Sequence, residues 1–127
     1  MKFSGYGLSG SVGNQKGKKG RKARTVTLEG AATIDDAAVL TEFLRQVVSD
    51  AKSLIIDLNG VKSVDVSFFQ ILLAMSKTCS LSEIETSITA LSDEHVVPRT
   101  AINSGFPAPA AGFWFGMACI STTGADS

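Results

Sequence analysis

Three side chains have the types that nucleophilic catalysis requires: Asp65, Ser67 and His95. In a catalytic triad the histidine takes the proton of the serine, and the aspartate orients the histidine. The G-x-S-x-G turn that presents a nucleophilic serine is absent around Ser67. His95 follows two acidic residues, which is typical of a surface residue near a helix start. We therefore predict that the chain has no catalytic residues and is not an enzyme.

Two carboxylates, Asp57 and Asp65, could hold a cation or carry out acid–base chemistry as a pair. The sequence offers no evident third ligand, so a structural role is favoured, in which a carboxylate accepts backbone N–H groups at a turn or helix start. The segment Gly5–Gly10 matches the pattern G-x-G-x-x-G, but no strand of any length precedes it and no helical pattern follows it. We predict neither a metal nor a cofactor.

Ser67 follows a strand and a turn and opens a helix. The apolar run from Leu54 to Leu58 predicts a buried strand, and Asn59-Gly60 is a turn dipeptide. The apolar spacing after the turn predicts a helix over residues 67–78. A serine at a helix N-terminus can be a cap, a nucleophile or a phosphate acceptor, and the function depends on which of these Ser67 is.

The rest of residues 25–106 alternates between strand and helix patterns. A helix begins at Thr33, which is a good N-cap, with Asp36 at the acidic position of a capping box. A last short helix has Pro98 at its first position. The predicted elements are strands 25–29, 54–58 and 86–91 and helices 33–49, 67–78 and 98–104. This alternation predicts an α/β domain.

The formal net charge of zero conceals two oppositely charged parts. Residues 1–24 carry seven basic side chains and no acidic one, whereas residues 25–127 carry five basic and twelve acidic side chains. The first segment is rich in glycine, so we predict a flexible basic arm, or an edge strand at residues 2–4 followed by a loop. No aromatic side chain lies between Lys16 and Arg24 to stack on bases, so nucleic-acid binding is not expected.

The last segment, residues 107–127, shows no regular pattern but carries Phe113, Trp114 and Phe115. These aromatic side chains could cover the core or contact a partner. The sequence begins without the apolar segment of a signal peptide and contains no apolar run of membrane-spanning length. Cys79 and Cys119 are predicted to be reduced thiols, and the protein is expected to be cytoplasmic.

Residues 25–106 resemble the STAS domain family, which takes its name from sulphate transporters and anti-sigma-factor antagonists. The resemblance rests on three segments in order: Val-Thr-Leu-Glu-Gly-Ala-Ala-Thr-Ile-Asp-Asp-Ala at 26–37, Leu-Ile-Ile-Asp-Leu-Asn-Gly-Val-Lys-Ser-Val-Asp-Val-Ser-Phe-Phe-Gln-Ile-Leu-Leu-Ala at 54–74, and Ile-Asn-Ser-Gly-Phe at 102–106. It implies a mixed, largely parallel sheet of about four strands packed with three to four helices. It also implies a switch module without enzymatic activity.

The resemblance places Ser67 on the serine or threonine that a partner kinase phosphorylates in anti-sigma-factor antagonists, and Asp65 on the aspartate of that loop. Phe68 stands where the family commonly has glycine, so a bulky side chain is expected beside the acceptor. The implied switch and docking residues are Asp65, Val66, Ser67, Phe68 and Gln70. The implied partner is an anti-sigma factor or serine kinase. The alternatives are a soluble subunit of an ABC lipid-transport system and a scaffold in chemotaxis-type signalling, with a homodimer also left open.

Overall fold

The computed structural model describes residues 2–16, 22–49, 51–89, 91, 94–106, 113–114 and 117–120. These residues contain seven strands, three α-helices and one short 3-10 turn. The strands are β1 (Lys2–Ser4), β2 (Leu8–Lys16), β3 (Lys22–Ala32), β4 (Ser53–Val64), β5 (Glu85–Thr89), β6 (Phe113–Trp114) and β7 (Met117–Ile120). The helices are α1 (Ala37–Val48), which follows the 3-10 turn Ile34–Asp36, α2 (Val66–Leu81) and α3 (Val96–Asn103).

The strands form one mixed sheet in the order β1-β2-β3-β4-β5-β7-β6. The central pairs β3/β4, β4/β5 and β5/β7 are parallel, and the outer pairs β1/β2, β2/β3 and β6/β7 are antiparallel. The predicted α/β class and the mixed sheet are confirmed. The predicted number of strands was too low, because the first and last segments of the chain each add two strands to the described sheet.

The core lies between one face of the sheet and the apolar sides of the helices. Alternate residues of β4 point into it, and Leu54, Ile56 and Leu58 are completely buried while the residues between them are only half-buried. Residues of a strand alternate between the two faces of its sheet, so this pattern identifies a strand with one covered face. The helices contribute Leu40, Phe43, Leu44, Val47, Phe68, Phe69, Leu72, Met75, Cys79, Val97 and Ala101 to the same cluster.

The predicted turn at Asn59-Gly60 is wrong, because β4 runs through both residues. Thr27 pairs with Asp57 and Glu29 pairs with Gly60, so one residue of β3 faces two residues of β4 at this point. This is a β-bulge, in which the extra residue bends the strand without ending it. A Cβ atom on Gly60 would stand 2.7 Å from the Glu29 side chain, so glycine allows the close approach of the two strands.

The N-terminal segment is part of the sheet over residues 2–16. The predicted edge strand is present as β1, and β2 pairs with β3 along nine residues, which the sequence did not predict. Leu8 is 2% exposed and belongs to the core, and the ring of Phe3 lies 4.5 Å from that of Phe43. Residues 17–21, which carry three of the basic side chains, lie outside the described residues.

The C-terminal segment also differs from the irregular tail that was predicted. Strand β7 pairs with β5 in parallel and with β6 in antiparallel orientation, and Met117 is 2% exposed. The side chains of Phe113, Trp114 and Phe115 lie outside the described part. Whether they cover the core or contact a partner therefore stays a prediction.

Candidate functional site

Asp65 is the residue that begins α2. Strand β4 ends at Val64, and Asp65 stays extended at the N-cap position, with a φ angle of −133° and a ψ angle of −175°. Its Oδ1 accepts the backbone N–H of Ser67 at 3.0 Å. Aspartate is favoured at this position because the first turn of a helix has N–H groups with no partner inside the helix.

The same carboxylate also connects α2 to the segment before α1. Oδ2 of Asp65 accepts the backbone N–H of Ile34 at 2.9 Å, and the Asp65 backbone N–H donates to the carbonyl of Ala32 at 3.3 Å. Burial alone would raise the pKa of Asp65. The hydrogen bonds from the Ser67 hydroxyl and from the N–H groups of Ile34, Ser67 and Phe68 outweigh that effect, and the pKa is lowered.

Ser67 is not the cap of α2, so that interpretation of the serine is wrong. It occupies the first turn of the helix, and its hydroxyl donates to Oδ1 of Asp65, the oxygen that also accepts its backbone N–H. Its side chain is half-buried. The Ser67 hydroxyl therefore lies against a carboxylate at the N-terminus of a helix. Its role as a phosphate acceptor stays a prediction.

The other residues of the predicted switch loop differ in exposure. Phe68 is 1% exposed, and its ring lies 5.7 Å from that of Phe69 in the core. The prediction that Phe68 belongs to the docking surface is therefore wrong, because its ring packs in the core. Val66, at 42% exposure, and Gln70 face solvent. Of the five predicted residues, Val66 and Gln70 are therefore exposed, Asp65 and Ser67 are half-buried, and Phe68 is buried.

Asp36 has a role that sequence reasoning missed. The predicted capping box is wrong, because Thr33 makes no side-chain cap and α1 begins only after the 3-10 turn. The Asp36 carboxylate is buried, with 2% of the residue exposed. It accepts the backbone N–H groups of Tyr6, Gly7 and Leu8 at 2.8, 2.9 and 3.0 Å.

These hydrogen bonds hold the turn between β1 and β2 against the start of α1. The bonds from Gly7 and Tyr6 lower the pKa of Asp36, burial raises it, the bond from Leu8 lowers it again, and the net shift is downward. Gly5 has no side chain because a Cβ there would overlap the Asp36 carboxylate. Gly5, the first glycine of the G-x-G-x-x-G match, thus has a structural explanation.

Exposed apolar side chains belong to the segments that the two carboxylates connect. Tyr6 is 93% exposed and Ile34 is 66% exposed, alongside Val66 in the first turn of α2. The backbone of Tyr6 is bonded to Asp36, and that of Ile34 is bonded to Asp65. We call Ile34, Val66, Ser67 and Gln70 the α2 N-terminal surface.

The residues considered for a triad are not assembled as one. The Ser67 hydroxyl bonds to Asp65, whereas Nδ1 of His95 accepts the backbone N–H of Val97 at 3.1 Å and caps α3. Nε2 of His95 lies 3.3 Å from the carbonyl oxygen of Asn59. Helix α3 therefore begins at Val96, before Pro98, and histidine supplies the cap that sequence reasoning did not assign.

Asp57 and Asp65 also do not form a pair with shared ligands. Oδ1 of Asp57 accepts the backbone and side-chain N–H groups of Asn59, both at 3.0 Å, within the β-bulge. Within residues 2–106 and 113–120, as far as the structure describes them, no three His, Cys, Asp or Glu side chains are grouped as metal ligands would be. The described helices include none with the length and hydropathy to cross a membrane.

This geometry defines a mixed α/β domain with a capped helix at the carboxyl end of its central strand. The family model described as Mlab, STAS domain, matches residues 18–104. The match covers well over half of the 127 residues, so the chain belongs to the STAS domain family. The family resemblance noted from the sequence is thereby confirmed.

Solved structures with this fold include several anti-sigma-factor antagonists. One from Mycobacterium paratuberculosis has a TM-score of 0.60 and 20% identity, covering 80% of this chain and 86% of that chain. Unphosphorylated SpoIIAA has a TM-score of 0.62 and 12% identity, covering 91% and 93%. SpoIIAA of Bacillus in its phosphorylated form has a TM-score of 0.57 and 12% identity, covering 89% and 96%. At these identities the likeness establishes the fold. No curated protein sequence matches the chain significantly.

Proposed function

We propose that this protein is a regulatory module without enzymatic activity, which binds a protein partner through the α2 N-terminal surface and is switched by phosphorylation of Ser67. The observation that carries the proposal is the hydrogen bond from the Ser67 hydroxyl to Asp65, the carboxylate that caps α2. A modification of this hydroxyl would act directly on the group that holds the start of the helix.

A phosphate on Ser67 would compete with Asp65 for the same place. It would add a charge of about −1.5 to −2, next to a carboxylate that the hydroxyl now contacts. Two unit charges of like sign about 4 Å apart repel by about 4 kcal/mol at the effective dielectric of a protein surface. The helix N-terminus favours an anion, so the phosphate can replace the Asp65 carboxylate at the first turn.

Displacing Asp65 would change more than one residue of the surface. The carboxylate also holds the backbone N–H of Ile34, so its departure would release the segment that carries the exposed Ile34 side chain. A partner that recognises Ile34 and Val66 together would then lose the arrangement of both and meet added negative charge. Phosphorylation is therefore expected to weaken docking.

A protein with the same fold gives a precedent for the phosphorylation in this proposal. SpoIIAA, which shares the fold, is known in an unphosphorylated and in a phosphorylated form. In this protein the ring of Phe68 is buried in the core, and the neighbouring side chains Val66 and Gln70 in the first turns of α2 are exposed. The proposal that this chain docks on a partner and is phosphorylated is supported by that geometry and by the family resemblance.

A second candidate is constitutive docking in a transport complex. The family model that matches this chain is the one described as Mlab, STAS domain, which favours the ABC lipid-transport subunit among the alternatives. In that case the α2 N-terminal surface would bind its partner without any phosphate transfer, and Ser67 would serve only to orient Asp65.

The experiment uses the purified full chain with candidate partners encoded beside its gene, such as an anti-sigma kinase or an ABC ATPase. Affinity is measured for the parent, Ser67→Asp and Ser67→Ala, and phosphate incorporation from ATP is located by mass spectrometry. Gln46→Glu is the charge control, because Gln46 is exposed on α1 and the change adds one negative charge away from Ser67.

We expect Ser67→Asp to weaken binding at least tenfold, while Gln46→Glu leaves it unchanged. Phosphate on Ser67 that disappears in Ser67→Ala would support the switch. Binding to an ABC ATPase with equal affinity for all variants would favour the second candidate. If no neighbouring protein binds, or if Gln46→Glu weakens binding as much as Ser67→Asp does, the proposed surface is wrong.

A further inference from the structure

A groove of about 610 Å³ lies between α1 and α2, away from the α2 N-terminal surface. One wall is the row Thr41, Leu44, Arg45, Val48 and Ser49 on α1, and the other is the row Ile71, Ala74, Met75, Thr78 and Ser82 along and just after α2. Ala51, Lys52 and Ile84 complete the lining. At a rise of about 1.5 Å per residue, these rows extend for about 12–16 Å.

The floor of this α1–α2 groove is apolar. Leu44 and Met75 are 4% and 6% exposed, and Val48, Ile71 and Ile84 are half-buried beside them. Binding sites for small molecules commonly have volumes of about 300–1,000 Å³ and a predominantly apolar lining with a few polar groups. The groove has the size and the composition of such a site.

The charge of the groove lining is opposite to that of residues 25–127 as a whole. Among the residues that the structure describes, Arg45 and Lys52 are the ionisable side chains of the lining, and no carboxylate is part of it. Yet residues 25–127 carry twelve acidic and only five basic side chains. Nη1 of Arg45 lies 3.4 Å from Oε1 of Glu42, with the two side chains 75% and 58% exposed. An exposed pair of this kind contributes little, so Arg45 can exchange Glu42 for a ligand.

We propose that the α1–α2 groove binds a single-chain amphiphile with an anionic headgroup, such as a fatty-acid anion. The alkyl chain lies on Leu44, Ile71 and Met75, and the carboxylate is held by Arg45 and Lys52. The hydroxyl of Thr78, at the edge of the groove, can donate a further hydrogen bond to the headgroup. This site does not depend on phosphorylation of Ser67 or on the docking surface.

The first test compares probes that share an alkyl chain and differ in headgroup. Dodecanoate, dodecanol and dodecyltrimethylammonium are titrated into the full chain below their micelle concentrations, and binding is followed by calorimetry. We expect dodecanoate to bind at least tenfold more tightly than the other two, because a hydrogen bond to a charged group is stronger than a neutral one. Equal binding of all three, or no binding of dodecanoate, would overturn the proposal.

The second test uses variants with matched controls. The double variant Arg45→Gln, Lys52→Gln should lose the preference for dodecanoate, and Lys62→Gln, Lys77→Gln should keep it, because those exposed lysines do not line the groove. Ala74→Phe should fill the groove and weaken binding at least tenfold.

The control for Ala74→Phe is Ala38→Phe, at an exposed position of α1 outside the lining. Full affinity in Ala74→Phe would show that the ligand lies elsewhere. A membrane lipid also carries alkyl chains and an anionic headgroup. Binding of the protein to phosphatidylglycerol vesicles is therefore measured in parallel by sedimentation. Binding to vesicles without binding of monomeric dodecanoate would also overturn the assignment.

Discussion

Replacing Asp65 by alanine should destabilise the protein far more than replacing Ser67 by alanine. Asp65→Ala removes the cap of α2 and the acceptor for the N–H of Ile34. Ser67→Ala removes only the hydroxyl that donates to Asp65. The two variants therefore distinguish the observed cap from the serine cap that the sequence suggested.

The expected size of each effect follows from these contacts. Loss of an aspartate cap costs about 1 kcal/mol. Loss of the exposed hydrogen bond from Ile34 and the partly buried one from the Ser67 hydroxyl adds about 1 kcal/mol. The free energy of unfolding should thus fall by about 2 kcal/mol, and Tm by about 6–10 °C for a domain of this size. In Ser67→Ala the lost hydrogen bond costs about 1 kcal/mol, but alanine regains about half of that through its higher helix propensity.

Urea unfolding at neutral pH, followed by circular dichroism, gives the two free energies. Asp35→Ala is the matched control, because Asp35 is also an aspartate just before a helix but is exposed. A double-mutant cycle between Asp65 and Ser67 should return a coupling of about 1 kcal/mol, as expected for groups in contact. If Ser67→Ala is as destabilising as Asp65→Ala, Ser67 is the cap after all and the geometry of the site is wrong.

Two further predictions concern the N-terminal hairpin. Asp36→Asn should lower Tm by several degrees more than Asp35→Asn at neutral pH. Because the folded pKa of Asp36 is lowered from 3.8, its contribution is complete above the unfolded value and is lost as the pH falls through the folded one. The difference in Tm between the two variants should therefore shrink on acidification, and a constant difference would contradict the role of its charge. Removal of residues 1–16 should cost more than about 3 kcal/mol, because Leu8 leaves the core and β3 loses nine paired residues. Leu8→Ala is the smaller test of the same contact, expected to cost about 2–5 kcal/mol, and a truncation that changes Tm by only a few degrees would show that the hairpin is dispensable.

Hydrophobic periodicity made the central elements predictable. The strands containing Val26, Ile56 and Ile88 and the helices after them follow patterns of alternate or helical spacing, and the structure has them in the predicted order. The start of α2 near Ser67 and the end of α3 before Gly105, whose φ angle is +86°, were also predictable from local residue preferences. These features depend on residues that are close together in the sequence.

The features that were missed depend on contacts between distant segments. Asn59-Gly60 is a common turn dipeptide, but here the pairing of β4 with β3 overrides it and produces a bulge. The glycines of the N-terminal segment predict flexibility, but β2 pairs with β3. In addition, the carboxylate of Asp36 accepts the backbone N–H groups of Tyr6 and Leu8, which lie 30 and 28 residues before it in the sequence. Asp36 itself could have been suspected only from its position beside two apolar stretches, which is a weak signal.

The sequence placed Asp65 and Ser67 at the start of a helix, as the structure has them, but the local roles of the two residues could not be inferred from their types. Ser67 and Asp65 are both acceptable caps, and the choice between them depends on where β4 ends. Since β4 continues to Val64, Asp65 falls at the N-cap and Ser67 inside the first turn. Phe68 then turns toward Phe69, in the core, and not toward the serine.

The two carboxylates connect the candidate switch to a large part of the domain. Asp65 bonds the start of α2 to Ile34, the backbone N–H of Asp36 donates to Thr33, and the Asp36 carboxylate holds the turn at Tyr6. The first and the third of these bonds join segments that share no strand or helix, and the second lies within the 3-10 turn between them. Hydrogen bonds therefore connect the start of α2 with the β1–β2 turn without a gap, and a change at Ser67 can be transmitted along them. Asp36→Asn should leave the cap of α2 intact and weaken only the hydrogen bonds between residue 36 and the β1–β2 turn. If the switch acts through all of these hydrogen bonds, Asp36→Asn should reduce the effect of Ser67→Asp on partner affinity. If the switch is confined to the first turn of α2, Ser67→Asp should change partner affinity equally with and without Asp36→Asn.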